Sequence, residues 1–331
     1  MLLPEDLRAG LDDLLSSVRP KDVSAAREAL SRRYRQQGPA EGSRVRSAED
    51  VAAYAAARLP ATYAAMRAAL AQLQDALPAW RPHSLLDAGA GPGTVMWAAQ
   101  DAWPELRTVT LLERDRDMAA FGRSLAVRAA SPALRGARWQ QADLARPWDA
   151  EEIDLATAAY VLGELPEPVQ DALVLHLWQL ARGALVVLEP GTPEGFRRIL
   201  RARTLLLAAG AKIAAPCPHT RECPLAQSDW CHFSQRLERS RLHRLAKSAE
   251  LAYEDEKFSF VTATRLSPLP VAGRILRHPQ VRGGHVRLQV CSAQGLERIV
   301  VTRREGERFR QAKDLRWGSP MPAQGPDSTD G

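Results

Sequence analysis

The chain has 331 residues and a hydrophobic fraction of 45%, enough for about two globular domains. No apolar run approaches the ~20 residues that span a membrane, and residues 1–13 show no basic segment followed by an apolar one, so the expectation is a cytoplasmic protein without membrane association. The net charge of +6 is uneven: residues 1–194 carry 21 Lys/Arg against 26 Asp/Glu, and residues 195–331 carry 24 against 13, a C-terminal surplus that suits a polyanion such as nucleic acid or, more simply, a solvated basic surface.

Residues 1–80 read as a helical region rich in Ala, Leu and Arg. Ser47-Ala48-Glu49-Asp50 resembles a capping box with Asp in place of Glu. Val51, Tyr54, Ala55, Leu59, Tyr63, Met66, Leu70 and Leu73 then recur at spacings of three and four, an apolar helix stripe interrupted at Pro60. Core packing is the expectation for this stripe, with a lid over a ligand or a binding face as the alternatives. From residue 84 to 192 strands and helices alternate. Strands are expected at Ser84–Asp87, Thr108–Glu113, Arg138–Gln141, Ile153–Thr157 and Ala184–Glu189, with helices at Met118–Ala130 and Pro168–Ala181. Such alternation implies an α/β fold with a parallel sheet, whose ligands bind beyond the carboxyl ends of the strands. A basic helix follows over residues 193–212, with Arg197, Arg198, Arg201 and Arg203, then a cysteine-bearing loop and a second basic helix at Ser240–Leu251 with Arg241, Arg244 and Lys247. Phe258–Arg265 reads as a strand, and His285–Cys291 and Arg298–Arg303 as arms of a hairpin around Ser292–Glu297. The organisation expected is therefore a helical region (1–80), a cofactor-binding core (81–212), a cysteine insertion with the last core strands and a basic hairpin (213–317), and a disordered tail (318–331).

The chemistry begins at Asp87-Ala88-Gly89-Ala90-Gly91-Pro92-Gly93-Thr94, between a strand and a helix. Glycines let the backbone approach a ligand, and the helix end offers free N–H groups. Thr94 stands where a dinucleotide fingerprint has its third glycine. Asp87 suits a cationic amino-acid moiety and would repel a pyrophosphate. Glu113 ends the second strand, where an acid can hold ribose hydroxyls, and Asp143 follows the third strand, within reach of an adenine amino group. Together these resemble the class I S-adenosylmethionine-dependent methyltransferases. The resemblance implies a Rossmann-like fold in which Asp87, Gly89, Gly91 and Gly93 line the methionine part, Glu113 the ribose and Asp143 the adenine. The fourth-strand exit, Thr157 to Leu165, lacks the Asn/Asp-Pro-Pro-aromatic motif of amino-group methyltransferases and any cysteine nucleophile. Tyr160 is expected either to line the site or to serve as a core aromatic. No catalytic side chain is assigned, and methyl transfer can proceed by orientation alone. A nicotinamide-dependent oxidoreductase is the lesser competitor.

The four cysteines are Cys217, Cys223, Cys231 and Cys291; five residues separate the first two and seven the next pair. These gaps are wide for structural zinc, whereas iron–sulfur clusters accept a distant fourth ligand. Zinc held by cysteines with His219 or His232, and buried unligated thiols, remain alternatives. The stretches Ala215-Pro216-Cys217-Pro218-His219, Cys223-Pro224-Leu225 and Ser228-Asp229-Trp230-Cys231-His232-Phe233, with Glu189-Pro190-Gly191 and Leu162-Gly163-Glu164-Leu165, resemble the mitochondrial small-ribosomal-subunit methyltransferase-like proteins and their bacterial relatives. The likeness covers roughly residues 45–318. It implies a 4Fe–4S cluster on Cys217, Cys223, Cys231 and Cys291, and the small ribosomal subunit or its rRNA as partner. A monomer is expected. Two functions follow: an rRNA methyltransferase, or a non-catalytic small-subunit assembly factor in which Arg197, Arg198, Arg201, Arg241, Arg244 and Lys247 form an RNA-binding surface beside the cysteines.

Overall fold

The computed structural model describes residues 1–16, 18–35, 45–226, 229–239 and 253–321. Helices α1 (Glu5–Leu15), α2 (Pro20–Arg35), α3 (Ala48–Ala57) and α4 (Leu59–Ala76) form the N-terminal region. Pro60 falls in the first turn of α4, where a missing N–H costs nothing, so the apolar stripe becomes two helices divided at Arg58. Ser47 caps α3 by accepting from the Asp50 N–H, but Asp50 completes no box. Its carboxylate accepts from Arg46 N at 2.9 Å and Arg33 Nη2 at 2.6 Å, pinning α2 to α3.

The main sheet contains β1 (Ser84–Ala88), β2 (Thr108–Glu113), β3 (Arg138–Gln141), β4 (Ile153–Ala159), β5 (Ala181–Pro190), β6 (Lys212–Ala215), β7 (Phe233–Glu238) and β8 (Tyr253–Thr264). Its order is β3-β2-β1-β4-β5-β8-β6, with β7 also on β8; β3 to β5 are parallel and β8 runs antiparallel to β5, β6 and β7. This is an α/β Rossmann-like arrangement with a mixed sheet. The five parallel strands lie where the sequence placed them; four are apolar runs covered on both faces, and β3, at the edge, is the polar and largely exposed Arg138–Gln141. Leu85, Leu111, Val186 and Leu188 pack with Met66, Leu70, Met96 and Trp103 on one face. Leu86, Leu112, Leu185 and Val187 pack on the other with α8 (Glu167–Leu180) and α9 (Pro193–Ala208). Helices α5 (Thr94–Ala102), α6 (Arg116–Ala126) and the short α7 (Pro132–Arg135) connect the first strands.

β6 and β7 occupy successive stretches of one edge of β8, facing residues 262–264 and 253–258, and the cysteine loop runs between them. Beyond the main sheet, β9 (Gly273–Ile275), β10 (Gln280–Val281), β11 (His285–Ser292), β12 (Gly295–Thr302) and β13 (Pro320–Met321) make a second, five-stranded sheet. The hairpin is tighter than expected. Ser292 pairs with Gly295 across a two-residue turn, and Gly295 at φ 120° lets β12 begin at once. Residues 318–321, expected within a disordered tail, instead supply edge strand β13 on β9; residues 322–331 lie outside the described residues, as does the expected helix Ser240–Leu251. One face of this sheet packs Val286, Leu288, Val290 and Ile275 against α10 (Glu307–Asp314). No helix of the described residues is long and apolar enough to cross a membrane.

Candidate functional site

A cleft of about 1150 Å³ opens at the carboxyl ends of β1, β2, β4 and β5, where the strand order reverses. Its floor is the glycine turn. Gly89, Gly91 and Gly93 have φ of 73°, 54° and 76°, the left-handed region that other residues enter at a cost. The N–H groups of Gly89 and Ala90 both donate to Leu112 O, fastening the turn to β2. Gly89, Gly91, Glu113, Asp143 and Tyr160 line the cleft. Asp87 and Gly93 stand behind its wall: a Cβ on Gly93 would meet Trp139 and Met96 within 3.1 Å, so this glycine serves packing.

Glu113 braces the turn from the side. One carboxylate oxygen accepts from Gly91 N at 2.6 Å, the other from Asp115 N at 2.7 Å. Burial raises the pKa of the Glu113 carboxyl above its ordinary value, making it a weaker acid, and these two N–H groups oppose that shift. Asp87 is 1% exposed. Its Oδ1 accepts from Thr157 Oγ1 at 2.7 Å, its cross-strand partner on β4, while Oδ2 has no partner. Burial, with Glu113 adding repulsion and Thr157 opposing, pushes the Asp87 carboxyl up to about 7.

Tyr160 holds a left-handed φ of 57° at the end of β4. Its hydroxyl donates to Glu256 Oε1 at 3.0 Å, and Arg58 covers its ring at 5.3 Å while pairing with the same carboxylate at 3.4 Å. Burial and Glu256 raise the Tyr160 hydroxyl well above its ordinary value, so it stays a donor. The N-terminal helices roof the cleft through Arg27 and Leu30 of α2 and Tyr54 of α3, with Arg58 between α3 and α4. Part of the stripe expected to serve core packing thus also forms the lid. Arg58 and Glu256, 198 residues apart, carry no local signal in the sequence. Thr157 was open to discovery from the strand order alone.

On the acceptor side, the arginines of α9 are not a free basic face. Arg197 pairs with Glu194, Arg198 with buried Glu189 at 2.7 Å, and Arg201 with Glu167 and Asp171. They border the cleft, where Arg198 is mostly covered while Arg197 and Arg201 keep side-chain exposures of 72% and 44%. Arg241, Arg244 and Lys247 lie outside the described residues.

The opposite side of α9 covers a second, small pocket lined by all four cysteines. Phe196, Leu225, Leu276 and Cys291 form its apolar shell, and Cys217, Cys223 and Cys231 complete it. Burial raises the Cys217 and Cys231 thiols and pushes Cys291 up to about 12, with the neighbouring cysteines adding to each shift. His219 reaches this pocket, its Nε2 lying 3.6 Å from Cys291 Sγ. His232 does not: it stacks on Trp230 at 5.2 Å and meets Trp317 edge-on at 5.0 Å. Among the described residues no three His, Cys, Asp or Glu side chains converge on the position of one metal ion.

The chain is 30% identical over 292 residues to the human mitochondrial ribosome assembly protein METTL17, covering 82% of this chain and 62% of that protein. It is 24% identical over 355 residues to the mitochondrial Rsm22-cox11 tandem protein 2 of Schizosaccharomyces pombe, covering 86% of this chain and 45% of that one. The chain therefore spans about three fifths or less of the length of these relatives. Among solved structures, magnesium protoporphyrin IX methyltransferase from Synechocystis with bound SAH is 14% identical at TM-score 0.43, covering 79% of this chain and all of that one. The N-methyltransferase NodS from Bradyrhizobium japonicum, in complex with S-adenosyl-L-homocysteine, is 14% identical at TM-score 0.39, covering 60% and 86%. The cytoplasmic expectation is overturned, because the matched family and these relatives are mitochondrial by description; it rested on a missing leader, which identifies no compartment. Matched over residues 48–322, the chain belongs to the family described as mitochondrial small ribosomal subunit Rsm22.

Proposed function

We propose that the chain binds S-adenosylmethionine in the cleft and a 4Fe–4S cluster at the cysteine pocket, and acts on the small ribosomal subunit as an rRNA methyltransferase. The observation that carries this reading is the sharing of α9: one side borders the cofactor cleft, the other the cysteine pocket, and Leu200 lines both. Family membership supports the small subunit, of the mitochondrial type, as the partner.

The residues fit the cofactor. Asp87 offers a buried, unpartnered oxygen, and in the turn that follows it Gly91 is the glycine with space around it, nothing lying nearer than 3.6 Å to a Cβ placed there. Ionised, it would favour the cofactor's ammonium group, while Glu113 and Asp143 would hold ribose and adenine. The cleft exceeds what one cofactor fills and leaves space for an acceptor. The cysteines fit a cluster better than zinc. A single zinc ion draws its ligands to one point, whereas a cubane cluster carries one iron per thiolate and keeps the sulfurs apart around a central volume. Buried thiols whose ionisation is opposed this strongly would need metal to hold them as thiolates.

A consequence can be measured at the cleft. An acid raised to about 7 in the fold contributes stability that is present at low pH and lost as pH rises through that value. Cofactor binding runs the other way, since the ammonium rewards the ionised form. Affinity for S-adenosylhomocysteine is expected to rise from about pH 5.5 to about pH 8.5, and Asp87→Asn to flatten that profile in binding calorimetry.

An exposed basic patch lies on the face of the second sheet that also carries Cys291, away from the pocket: Arg287 and Arg298 stand there beside Gln289 and half-exposed Val300, opposite the face packed on α10. Alanine at both arginines is expected to weaken binding to small-subunit rRNA and reduce the slope of log affinity against log salt by about 2.

The non-catalytic assembly reading draws on Tyr160, whose hydroxyl is committed to Glu256 rather than presented to an acceptor. Labelled S-adenosylmethionine incubated with immature small subunits decides between them. Label in the rRNA supports methyl transfer; binding to the particle without label supports assembly alone.

A further inference from the structure

Two arginines are buried at the cysteine pocket, from opposite sides. Arg274 is 3% exposed and lies on β9 directly across from Cys291 on β11, so both side chains share one face of the second sheet. Its Nε donates to Pro216 O at 2.9 Å, next to Cys217, and its Nη1 to Gly318 O at 3.1 Å. Arg203 is 5% exposed and comes from α9. Its Nη2 donates to His219 O at 2.8 Å and Arg221 O at 2.9 Å, and it lines the pocket with Cys217. Its Nε has no partner.

Neither guanidinium is ion-paired with a carboxylate among the described residues, although Asp75 attracts Arg274 through space. Carbonyl dipoles satisfy N–H groups but do not cancel charge. A buried cation left in that state is costly, and the fold places two of them around one pocket. Four neutral thiols supply no counter-charge. A cubane cluster on four thiolates is a dianion in its oxidised form and a trianion after one electron is added, so its charge meets two buried cations.

We propose that Arg203 and Arg274 are the counter-cations of the pocket: they neutralise the oxidised cluster and favour the uptake of one electron. The inference rests on the cluster reading above. The arginines are positioning residues, not ligands. They act through the field at the cluster, which is strong where water is excluded. Removing one cation makes the trianion less favourable relative to the dianion, so the reduction potential must fall.

The test uses the full chain, purified anaerobically, with dithionite as electron donor in a redox titration followed by electron paramagnetic resonance. Arg274→Gln keeps hydrogen-bonding capacity and loses charge; Arg274→Lys keeps charge. The expected result is a more negative midpoint for Arg274→Gln and a potential near that of the unaltered protein for Arg274→Lys. An unmoved potential in Arg274→Gln overturns the inference and leaves the cluster reading standing. If Arg274→Gln fails to retain the cluster, iron and sulfide retention under a chelator decides. Retention by the lysine variant alone supports charge as the cause; equal loss from both overturns it, because carbonyl contacts are then what matter. Unaltered protein carrying zinc and no iron overturns the cluster reading and this inference together.

Discussion

Gly89→Val is expected to abolish measurable binding of S-adenosylhomocysteine without unfolding the chain. Gly89 sits at φ 73°, where an L residue pays roughly 1–2 kcal/mol, and a β-branched one more. Its new Cβ would stand 2.5 Å from Val161 Cγ2 and 2.9 Å from Val161 Cβ. Overpacking of that kind costs a further ~1–3 kcal/mol. The strain is relieved by displacing the turn, because Val161 is itself held beside Tyr160 on the β4 exit, and Tyr160 N donates to Leu188 O. A displaced turn no longer presents Gly91 to Glu113. Binding calorimetry should register at least roughly 100-fold weaker affinity. Gly210→Ala is the control: Gly210 has φ 79° but nothing within 4 Å of its Cβ position. It should cost about 1 kcal/mol of stability and leave affinity unchanged. Unaltered affinity in Gly89→Val would remove the turn from the cofactor site.

The second large effect is expected from Cys223→Ser. The protein should lose its iron and its broad visible absorbance, and its Tm should fall by on the order of 10 °C. The reason lies in how the second sheet attaches to the core. Cys223 and Cys231 pack with Phe196 of α9, Leu225 of the loop, and Leu276 and Cys291 of the second sheet. Other ties include Arg274 to the Pro216 carbonyl, Arg277 to Asp229 at 2.5 Å, the His232–Trp317 contact and the packing of Trp317 on the main core. A centre with ligands on both sides would rivet the two units together. Without it, limited proteolysis should cut first within residues 216–232, and binding to the small subunit should weaken, because the exposed arginines ride on the undocked sheet. Cofactor affinity at the cleft should change far less, since Glu113, Asp143 and the glycine turn draw on β1 to β3. Full iron content and an unmoved Tm in Cys223→Ser would exclude Cys223 from the ligand set.

Much of the main sheet is legible because parallel strands buried on both faces leave an unmistakable record. Leu85 and Leu86, Leu111 and Leu112, and the run from Ala184 to Leu188 feed two cores at once, so no polar alternation is tolerated. The glycine turn is legible for the same local reason: positive φ and close approach are properties of a residue and its neighbours. The four cysteines share a pocket, as expected of clustered thiols in a chain with none to spare. The arginines of α9 show where local reading stops. Their charge is plain in the sequence, but their partners Glu167, Asp171 and Glu189 come from α8 and β5, and pairing turns an apparent basic face into a neutral wall.

By itself, then, the sequence determined the strand order's raw material, the glycine turn and the set of thiols, since each follows from backbone preference or from short-range burial. Only the tertiary structure decided what long-range pairing controls. It turned Asp87 away from the cleft surface and gave it Thr157, joined Arg58 to Glu256 over Tyr160, and committed His232 to an aromatic stack while His219 reached the cysteines. It also set Arg274 beside Cys291 by strand register and Arg203 opposite by helix face. A buried charge is placed by the elements that meet around it, and the residues that meet come from separate elements, 70 positions apart for Asp87 and Thr157 and 198 for Arg58 and Glu256.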